Sequence, residues 1–307
     1  MAHKNKYAIA IQAGAGPNDK YTRENKKKME LALEAAVKAA HGLLDNGGTA
    51  VDAVEWAVQY MEDNPLFNAG CGSSLNAEGD IEMSACIMEG KNLKAGAVSI
   101  IRNVKNPIVV ARSVMEMTNH VIIGGESAKR FAELMKLEIR NDKYFITPHQ
   151  YADYMESKLK NDRQSILKQR VYSTVGAVAV DSKGDIAAAT SSGGTVFNMS
   201  GRIGDSGIPG AGCYANNKTC AVSATGDSEF LLRFSLANSI ASAKQYTRQS
   251  VQQCVEYVIN HLHKDSKADL GAIAIDTEGN IGIGFNSERM LRAWIGRDGE
   301  LQVKVYE

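Results

Sequence analysis

Residues 170–194 read RVYSTVGAVAVDSKGDIAAATSSGG, and their character changes abruptly along the stretch. A charged beginning gives way to an apolar run, an Asp-x-x-Gly turn, and a second apolar run that ends in hydroxyls and glycines. Two apolar runs around such a turn predict a β-hairpin. Residues 270–285, LGAIAIDTEGNIGIGF, repeat the pattern. The chain therefore contains the same hairpin twice, and the small residues in both copies indicate that something packs very closely against one face of each.

A threonine, Thr174, stands at the predicted start of the first hairpin, where the second copy has Asp269. The hairpin itself therefore does not require a threonine there. A hydroxyl is a poor nucleophile without a base, but a cut before Thr174 would free an α-amino group beside its Oγ. That amine, with a pKa of about 7.7–8.0, could take the hydroxyl proton near neutral pH. Thr174 is thus a candidate nucleophile; the alternative is a β-branched residue that merely opens a strand.

The rest of the chain alternates between helix and strand signals. The charged stretch 141–173 has weak periodicity and is predicted to be a mobile surface connector, partly helical. Hairpins and amphipathic helices segregated in this way predict stacked sheets flanked by helices. The predicted elements are a helix from Thr22 to a stop at Gly47–Gly48, a second helix that begins with a Thr49/Asp52 capping box and ends near Asn64–Pro65, strands at IEMSACIM (81–88) and AGAVSII (95–101), a helix at GGESAKRFAELM (124–135), and a helix capped by Ser250.

The composition is that of an ordinary globular protein. With 307 residues, 44% hydrophobic, the chain can bury a large core. Lys+Arg and Asp+Glu both number 35 and aromatics make up 7%, which disfavours a nucleic-acid partner. The five cysteines are scattered without a CxxC pair, which disfavours a disulfide framework or a zinc site and favours a reducing compartment. The first 16 residues have too short an apolar run for a signal or membrane span, so we expect a cytoplasmic protein with no membrane partner.

Several segments together resemble the plant-type L-asparaginase or isoaspartyl peptidase family of N-terminal nucleophile hydrolases: STVGAVAVDSKGDIAAATSSGG, GRIGDSGIPGAGCYA, AVSATGDSE, NPLFNAGCGS and GGTAVDAVE. The resemblance implies an α+β fold, a four-layer αββα sandwich, made as one domain over residues 1–307. It implies self-cleavage into an α part, 1–173, and a β part, 174–307, which stay together and form a dimer of αβ units. It implies as substrates asparagine or peptides with a β-linked aspartate, and no organic cofactor.

The resemblance also implies roles for individual residues. Thr174 corresponds to the nucleophile, and the bond between Ser173 and Thr174 to the cleavage site. Further positions match the residue that orients the nucleophile, the oxyanion hole, the substrate-binding residues and a loop whose backbone carbonyls bind Na⁺ or K⁺. Ser192 matches the residue that orients the nucleophile, and Thr225 and Gly226 match the oxyanion hole. Arg202, Asp205 and Ser228 match the substrate-binding residues. The carbonyls of the cation loop are those of Met61, Glu62, Asn64, Phe67, Ala69 and Cys71.

Several residues depart from the family pattern. The usual Ile-His-Gly-Gly-Ala-Gly is IQAGAG here, with Gln12 for histidine and Ala13 for glycine, and Ser173, Ser192 and Ser228 replace glycine, threonine and glycine. These changes surround the expected pocket and leave the efficiency of cleavage and the preferred substrate open.

Three other functions compete with this interpretation. A non-catalytic homologue that binds amino-acid ligands and a glycosylasparaginase-like enzyme both remain open. A trypsin-like protease, suggested by GDSG at 204–207, is disfavoured because His41 lies inside a predicted helix.

Overall fold

The structure, a computed structural model, describes residues 6–160, 174–263 and 268–306. Twelve strands form two sheets in the described chain. The strands are β1 (Ala8–Gly16), β2 (Met83–Glu89), β3 (Ala95–Ile101), β4 (Ile122–Gly124), β5 (Val175–Val180), β6 (Ile186–Ser192), β7 (Cys213–Ala215), β8 (Ala221–Gly226), β9 (Leu270–Ile275), β10 (Ile281–Phe285), β11 (Arg289–Ile295) and β12 (Leu301–Lys304).

Along the chain, groups of helices separate groups of strands. They are α1 (Lys20–Asp45), α2 (Ala50–Glu62), α3 (Pro107–Met117), α4 (Gly125–Leu134), α5 (Asp142–Phe145), α6 (Pro148–Lys160), α7 (Ser228–Phe234), α8 (Leu236–Thr247) and α9 (Val251–His263), with a 3₁₀ turn at Asp205–Gly207. No helix among the described residues combines the length and the apolar character needed to cross a bilayer.

The two predicted hairpins form, and they lie in different sheets. The eight-stranded sheet has the order β12-β11-β1-β5-β6-β2-β3-β4, and the four-stranded sheet the order β10-β9-β8-β7. The first hairpin, β5–β6, is at the centre of the large sheet, where β5 pairs antiparallel with β1 on one side and β6 on the other. The second hairpin, β9–β10, forms half of the small sheet. Both registers are continuous, as the Asp-x-x-Gly turns predict.

The core has three layers of apolar packing that follow the alternation of side chains along each strand. On β1, Ile9 and Ile11 pack with the helices α1 and α2, whereas Ala8 and Ala10 face the small sheet. A second cluster joins the outer face of the small sheet to helices α8 and α9. The chain is an α+β protein whose two sheets pack against each other.

The close packing predicted from the small residues is present in both hairpins. Ala177 and Ala179 belong to the cluster that β5 shares with α2. A Cβ on Gly282 would lie 2.9 Å from the carbonyl oxygen of Val251, and a Cβ on Gly284 would lie 2.8 Å from Val255 Cγ1. The small residues therefore allow a helix to approach each hairpin closely.

Most helix boundaries follow the capping signals. The Thr49/Asp52 capping box forms at the start of α2. Helix α1 begins before Thr22, because the Asp19 carboxylate accepts the Thr22 backbone N–H at 2.7 Å and caps the helix. It ends at Asp45, ahead of Gly47, which has φ +82°. Helix α3 was not among the predicted elements.

The connector predicted at 141–173 contains helices α5 and α6 in its described part. Tyr154 of α6 is buried, its ring centroid is 5.8 Å from that of Phe197, and its hydroxyl lies beside Gly79. The part of the connector at 161–173, with Ser173, lies outside the described residues.

We expect Gly176→Ala to destabilise the protein, because a Cβ there would overlap Ser223 Oγ and lie 2.9 Å from the carbonyl oxygen of Ala189. The sheets would have to move apart, at a cost of about 1–3 kcal/mol in the free energy of unfolding. Denaturant unfolding measures the effect. The matched control is Gly42→Ala in α1, where a Cβ meets nothing within 4 Å, and this change should stabilise by about 0.5–1 kcal/mol. Equal stability of the Gly176→Ala protein and the unchanged protein would contradict the expectation.

Candidate active site

Thr174 is buried at the edge of the central hairpin. Its exposed fraction is 4%, and β5 begins one residue later, at Val175. Val175 pairs with Ala13 on β1 and with Ser191 on β6. Thr174 directly precedes this pairing, and Gly14 and Ser192 directly follow it on the two neighbouring strands. The sheet therefore ends at Thr174, Gly14 and Ser192 on three adjacent strands, and the role of Ser192 stays a prediction.

The backbone after Ser192 is held by Asn68. The Asn68 carbonyl oxygen accepts the Gly193 N–H at 2.9 Å, and its side-chain amide donates to the Gly194 carbonyl at 2.7 Å. Gly194 in turn donates its N–H to Ser192 Oγ at 3.1 Å. Asn68 lies within the predicted cation loop, but sequence reasoning considered only the carbonyls of that loop and missed its side chain.

Thr225 and Gly226 end strand β8 of the small sheet. Thr225 is fully buried, and its Oγ1 is a polar atom without a hydrogen-bond partner among the described residues. Gly226 has φ +128°, and a Cβ there would overlap the carbonyl oxygen of Asp269. Only glycine fits this backbone. A buried donor without a partner is costly, so Thr225 is a candidate for contact with a ligand.

Asp205 is fully buried in the 3₁₀ turn. Its Oδ1 accepts a hydrogen bond from Ser228 Oγ at 2.5 Å, whereas Oδ2 has no partner among the described residues. Burial raises the pKa of Asp205 to about 6, although the Ser228 hydrogen bond and the charge of Arg202 oppose this shift. Asp205 therefore presents a buried acceptor that a cationic group could satisfy.

Arg202 lies close to the same group but is already paired. Its Nε and Nη2 both donate to Glu229 Oε1, at 3.0 and 2.8 Å. The third nitrogen, Nη1, lies 3.0 Å from the position a Cβ would take on Gly204, and Ser228 Oγ lies 3.2 Å from that same point. Arg202, Ser228 and Asp205 thus form one cluster. Glu229, which is 57% exposed at its side chain, was not identified from the sequence.

These groups lie at one end of the sheet sandwich. A Cβ on Gly271 would lie 2.9 Å from Ala15 Cβ and 3.2 Å from Thr225 Cγ2. Ala15 lies two residues beyond Ala13, which pairs with Val175 next to Thr174, so Thr225 lies at the Thr174 end of the sandwich. The 3₁₀ turn with Asp205 contacts β6, the strand that ends at Ser192.

The predicted cation loop at 61–71 turns sharply at two glycines. Gly70 has φ +53° and Gly72 has φ +102°. A Cβ on Gly70 would overlap the carbonyl oxygen of Glu62, and a Cβ on Gly72 would lie 2.6 Å from the carbonyl oxygen of Phe67. One backbone carbonyl oxygen therefore lies close to Gly70, and two, from Phe67 and Pro65, lie close to Gly72. The described residues hold no cluster of three or more His, Cys, Asp or Glu side chains suited to a metal ion.

The Glu62 side chain ties this loop to the central hairpin. It is fully buried, and its Oε1 accepts from Ser191 Oγ at 2.6 Å and from the Ile108 N–H at 3.1 Å. Burial raises the pKa of Glu62 to about 8. The Glu62 carboxyl, shifted by burial toward its neutral form, therefore connects the loop, helix α3 and the residue next to Ser192.

Known proteins resemble the chain over nearly its whole length. The family profile described as asparaginase matches residues 5–305. The chain belongs to the asparaginase family. An isoaspartyl peptidase of Salmonella typhimurium is 39% identical, covering 94% of this chain and 95% of that protein. An isoaspartyl peptidase/L-asparaginase of Homo sapiens is 39% identical, covering 98% of this chain and 96% of that protein. The resemblance seen in the sequence segments is confirmed.

The departures from the family pattern fall in different places. Ser192 and Ser228 lie in the candidate site, where the Ser228 hydroxyl takes up one oxygen of Asp205. Gln12 is buried between the two sheets and reaches Ser223 of β8. Ser173 lies outside the described residues.

We expect Asp205→Asn to make the protein more stable above pH 6. The folded protein keeps the Asp205 proton up to about pH 6, whereas the unfolded chain releases it near pH 3.8, so stability falls as pH rises between these values and stays reduced above them. The Asp205→Asn protein lacks this loss. Its free energy of unfolding should therefore exceed that of the unchanged protein by a margin that grows with pH to about 3 kcal/mol. Denaturant unfolding from about pH 4 to about pH 8 measures it.

The control for this pH series is Asp142→Asn, because Asp142 is exposed and also accepts one side-chain hydrogen bond, from Asn103. A gap between the Asp205→Asn protein and the unchanged protein that shrinks as pH rises would contradict the expectation.

Proposed function

We propose that this protein hydrolyses L-asparagine and peptides that begin with a β-linked aspartate, with Thr174 as its nucleophile. The observation that carries the proposal is a pair of fully buried polar atoms without partners among the described residues, Thr225 Oγ1 and Asp205 Oδ2, at the end of the sandwich where Thr174 is buried. Such atoms are expected where a polar ligand completes the hydrogen bonds. The names of the relatives, isoaspartyl peptidase and isoaspartyl peptidase/L-asparaginase, support the choice of ligand.

The proposal includes activation by cleavage of the bond between Ser173 and Thr174. The new α-amino group, with a pKa of about 7.7–8.0, lies a few atoms from Oγ and serves as the base. One domain with the αββα layering of N-terminal nucleophile hydrolases would then consist of an α part, 1–173, and a β part, 174–307. Helices against the outer faces of two packed sheets support that layering.

The substrate is proposed to bind by its free amino-acid head. Asp205 Oδ2 would accept from the α-ammonium group, and Arg202 would bind the α-carboxylate, since a guanidinium is a planar fork of donors. Glu229 occupies two of the three guanidinium nitrogens, so the substrate carboxylate binds at Nη1 or displaces Glu229. Glu229 is exposed enough to move. The side-chain carbonyl of the substrate then lies at Thr174.

The reaction proceeds in two steps. Thr174 Oγ attacks the carbonyl carbon while its proton passes to the α-amino group, which then protonates the departing ammonia or peptide amine. Water, losing a proton to the same amine, hydrolyses the ester and releases aspartate. The Thr225 hydroxyl and the Gly226 N–H stabilise the oxyanion in both steps, and the Ser192 hydroxyl orients Thr174.

The cation loop is proposed to hold Na⁺ or K⁺ through backbone carbonyls. The carbonyl oxygens of Glu62 and Phe67 lie close to Gly70 and Gly72, which supports this loop as the place for such an ion. The ion would stiffen the loop that carries Asn68 and hence the backbone after Ser192. The candidate carbonyls are those of Met61, Glu62, Asn64, Phe67, Ala69 and Cys71.

The remaining proposals concern the molecule as a whole. The reaction needs no organic cofactor, because this chain supplies the nucleophile, the base and the oxyanion donors. Free thiols at all five cysteines support a cytoplasmic location. We also propose a dimer of αβ units, as the resemblance to the family implies.

Replacing the nucleophile tests this function. Thr174→Ala should remain a single uncut chain and should release no ammonia from asparagine and no amino acid from a β-aspartyl dipeptide. Thr174→Ser should keep the cut and part of the activity, because it keeps the hydroxyl. Intact-mass spectrometry and both assays measure this, with the smaller part expected to begin TVGAV. Equal activity of the Thr174→Ala protein and the unchanged protein would contradict the proposal. If the unchanged protein itself is uncut and inactive, the result favours the non-catalytic homologue.

Replacing the oxyanion donor separates catalysis from stability. Thr225→Val keeps the shape of the side chain, and the removed Oγ1 has no partner among the described residues, so stability should be unchanged or higher. We expect kcat to fall about 10²–10³-fold with little change in KM. Steady-state kinetics and thermal unfolding, with Thr225→Ser as the hydroxyl-retaining control, measure both. A normal kcat would remove Thr225 from the reaction.

A further inference from the structure

A buried chain of hydrogen bonds starts on β1 and crosses between the two sheets. Gln12 Oε1 accepts the Gly14 backbone N–H at 2.8 Å, and Gln12 Nε2 lies 3.5 Å from Ser223 Oγ on β8. Ser223 Oγ lies 2.8 Å from Thr190 Oγ1 on β6, and Thr190 donates to the Gly212 carbonyl at 3.0 Å. The three side chains are fully buried. We call these five residues the inter-sheet relay.

The carbonyl at the end of the relay sets the direction of every hydrogen bond in it. Gly212 O can only accept, so the single hydroxyl hydrogen of Thr190 goes to it. Ser223 must then donate to Thr190, and Ser223 Oγ can only accept from Gln12. Residue 12 therefore has to donate with one atom and, because the Gly14 N–H points at it, accept with another.

Both ends of the relay reach the candidate site. Gly14, with φ +104°, follows Ala13, the β1 residue that pairs with Val175 immediately after Thr174. At the other end the Gly212 N–H donates to the Asp205 carbonyl at 3.2 Å, and a Cβ on Gly212 would lie 2.5 Å from Asp205 Oδ2. The relay thus connects the backbone beside the proposed nucleophile with the turn that holds the proposed ammonium acceptor.

The surroundings leave the relay tightly enclosed and almost free of charge. A Cβ on Gly176 would overlap Ser223 Oγ and lie 3.0 Å from Gln12 Nε2. Strands β5, β6, β8 and β9 contain no Asp, Glu, Lys, Arg or His. On β11, Arg292 pairs opposite Gln12, and its guanidinium lies 4.7 Å from the Phe285 ring centroid and donates to a backbone carbonyl. Among the described residues, the Asp205 carboxyl lies at the Gly212 end of the relay, and cleavage would add the Thr174 amine near the other end.

We propose that Gln12 is a positioning residue for the reaction, whose amide holds the inter-sheet relay in one direction regardless of pH. This inference rests on the proposed function of Thr174. An amide offers one donor group and one acceptor and does not ionise. A neutral imidazole offers the same pair, but its protonated form has no acceptor for Gly14. A carboxyl depends on protonation in the opposite way. Only its protonated form has a donor for Ser223, whereas its ionised form can only accept.

Two variants at position 12 should therefore respond to pH in opposite directions. Gln12→His and Gln12→Glu are compared with the unchanged enzyme by kcat/KM for a β-aspartyl dipeptide from about pH 5 to about pH 9. Dividing each variant by the unchanged enzyme at the same pH cancels the ionisation of Asp205 and of the Thr174 amine. The ratio for Gln12→His should fall tenfold per pH unit below the imidazole pKa, and the ratio for Gln12→Glu tenfold per pH unit above the carboxyl pKa.

The surroundings indicate where these changes should fall. Burial and the charge of Arg292 both lower the pKa of an imidazole at position 12, so its effect should begin below about pH 6.5. Burial raises the pKa of a carboxyl at position 12 above its usual value of about 4.3, against the charge of Arg292, so the ratio for Gln12→Glu should begin to fall only at a correspondingly higher pH. The matched controls are Gln302→His and Gln302→Glu on the exposed side of β12, which should give ratios independent of pH.

The pH dependence of the two ratios tests the positioning role of Gln12. Opposite slopes support the positioning role, and ratios at position 12 that are independent of pH overturn it. If neither variant folds, Ser223→Ala tests the relay without an ionisable group: a kcat lowered about tenfold or more, with KM kept, supports the role, and an unchanged kcat overturns it. Thr174→Ala separates the two proposals, because full activity there defeats the proposed function, whereas inactivity with flat ratios defeats the role of Gln12 alone.

Discussion

The central strand β5 is packed on all sides, and the rest of the site depends on how closely its neighbours approach. β1 and β6 pair with it along its edges, α2 lies against the side of Ala177 and Ala179, and Ser223 of the small sheet presses against Gly176. A side chain at Gly176 would separate the sheets. Because β5 is enclosed by these neighbours, the residue that precedes it, Thr174, is held in a buried position at the start of the strand.

The site concentrates polar groups where the fold could have buried apolar ones. Thr225 Oγ1 and Asp205 Oδ2 lack partners among the described residues, and burial shifts the carboxyls of Asp205 and Glu62 toward their neutral forms. Each such group weakens the folded state, since a buried polar atom without a partner loses its hydration without compensation. In the proposed function these groups bind the substrate, so stability and ligand recognition would oppose each other here, as is common at functional sites.

Local signals in the sequence predicted much of the fold. The hairpin repeat, the Thr49/Asp52 capping box and the glycine stop of α1 depend on residues close together in the chain, and all are present. Helix α3 was missed, although Pro107 follows Asn106 at its start. The side chains of Asn68 and Glu229 were missed for a different reason. Their partners, Gly194 and Arg202, are distant in sequence, and no local pattern marks such pairs.

The sequence by itself determined the family, the repeated hairpin and Thr174 as the candidate nucleophile, because these are written in contiguous segments of fixed order. Only the tertiary structure decided that the two hairpins lie in different sheets, that Ser228 takes up one oxygen of Asp205, and that Gln12 reaches Thr190 through Ser223. The physical reason is the separation along the chain between residues that interact. Turns and caps depend on neighbours a few residues apart, whereas the partners of a buried polar atom come from whichever strands the packing of the sheets brings together.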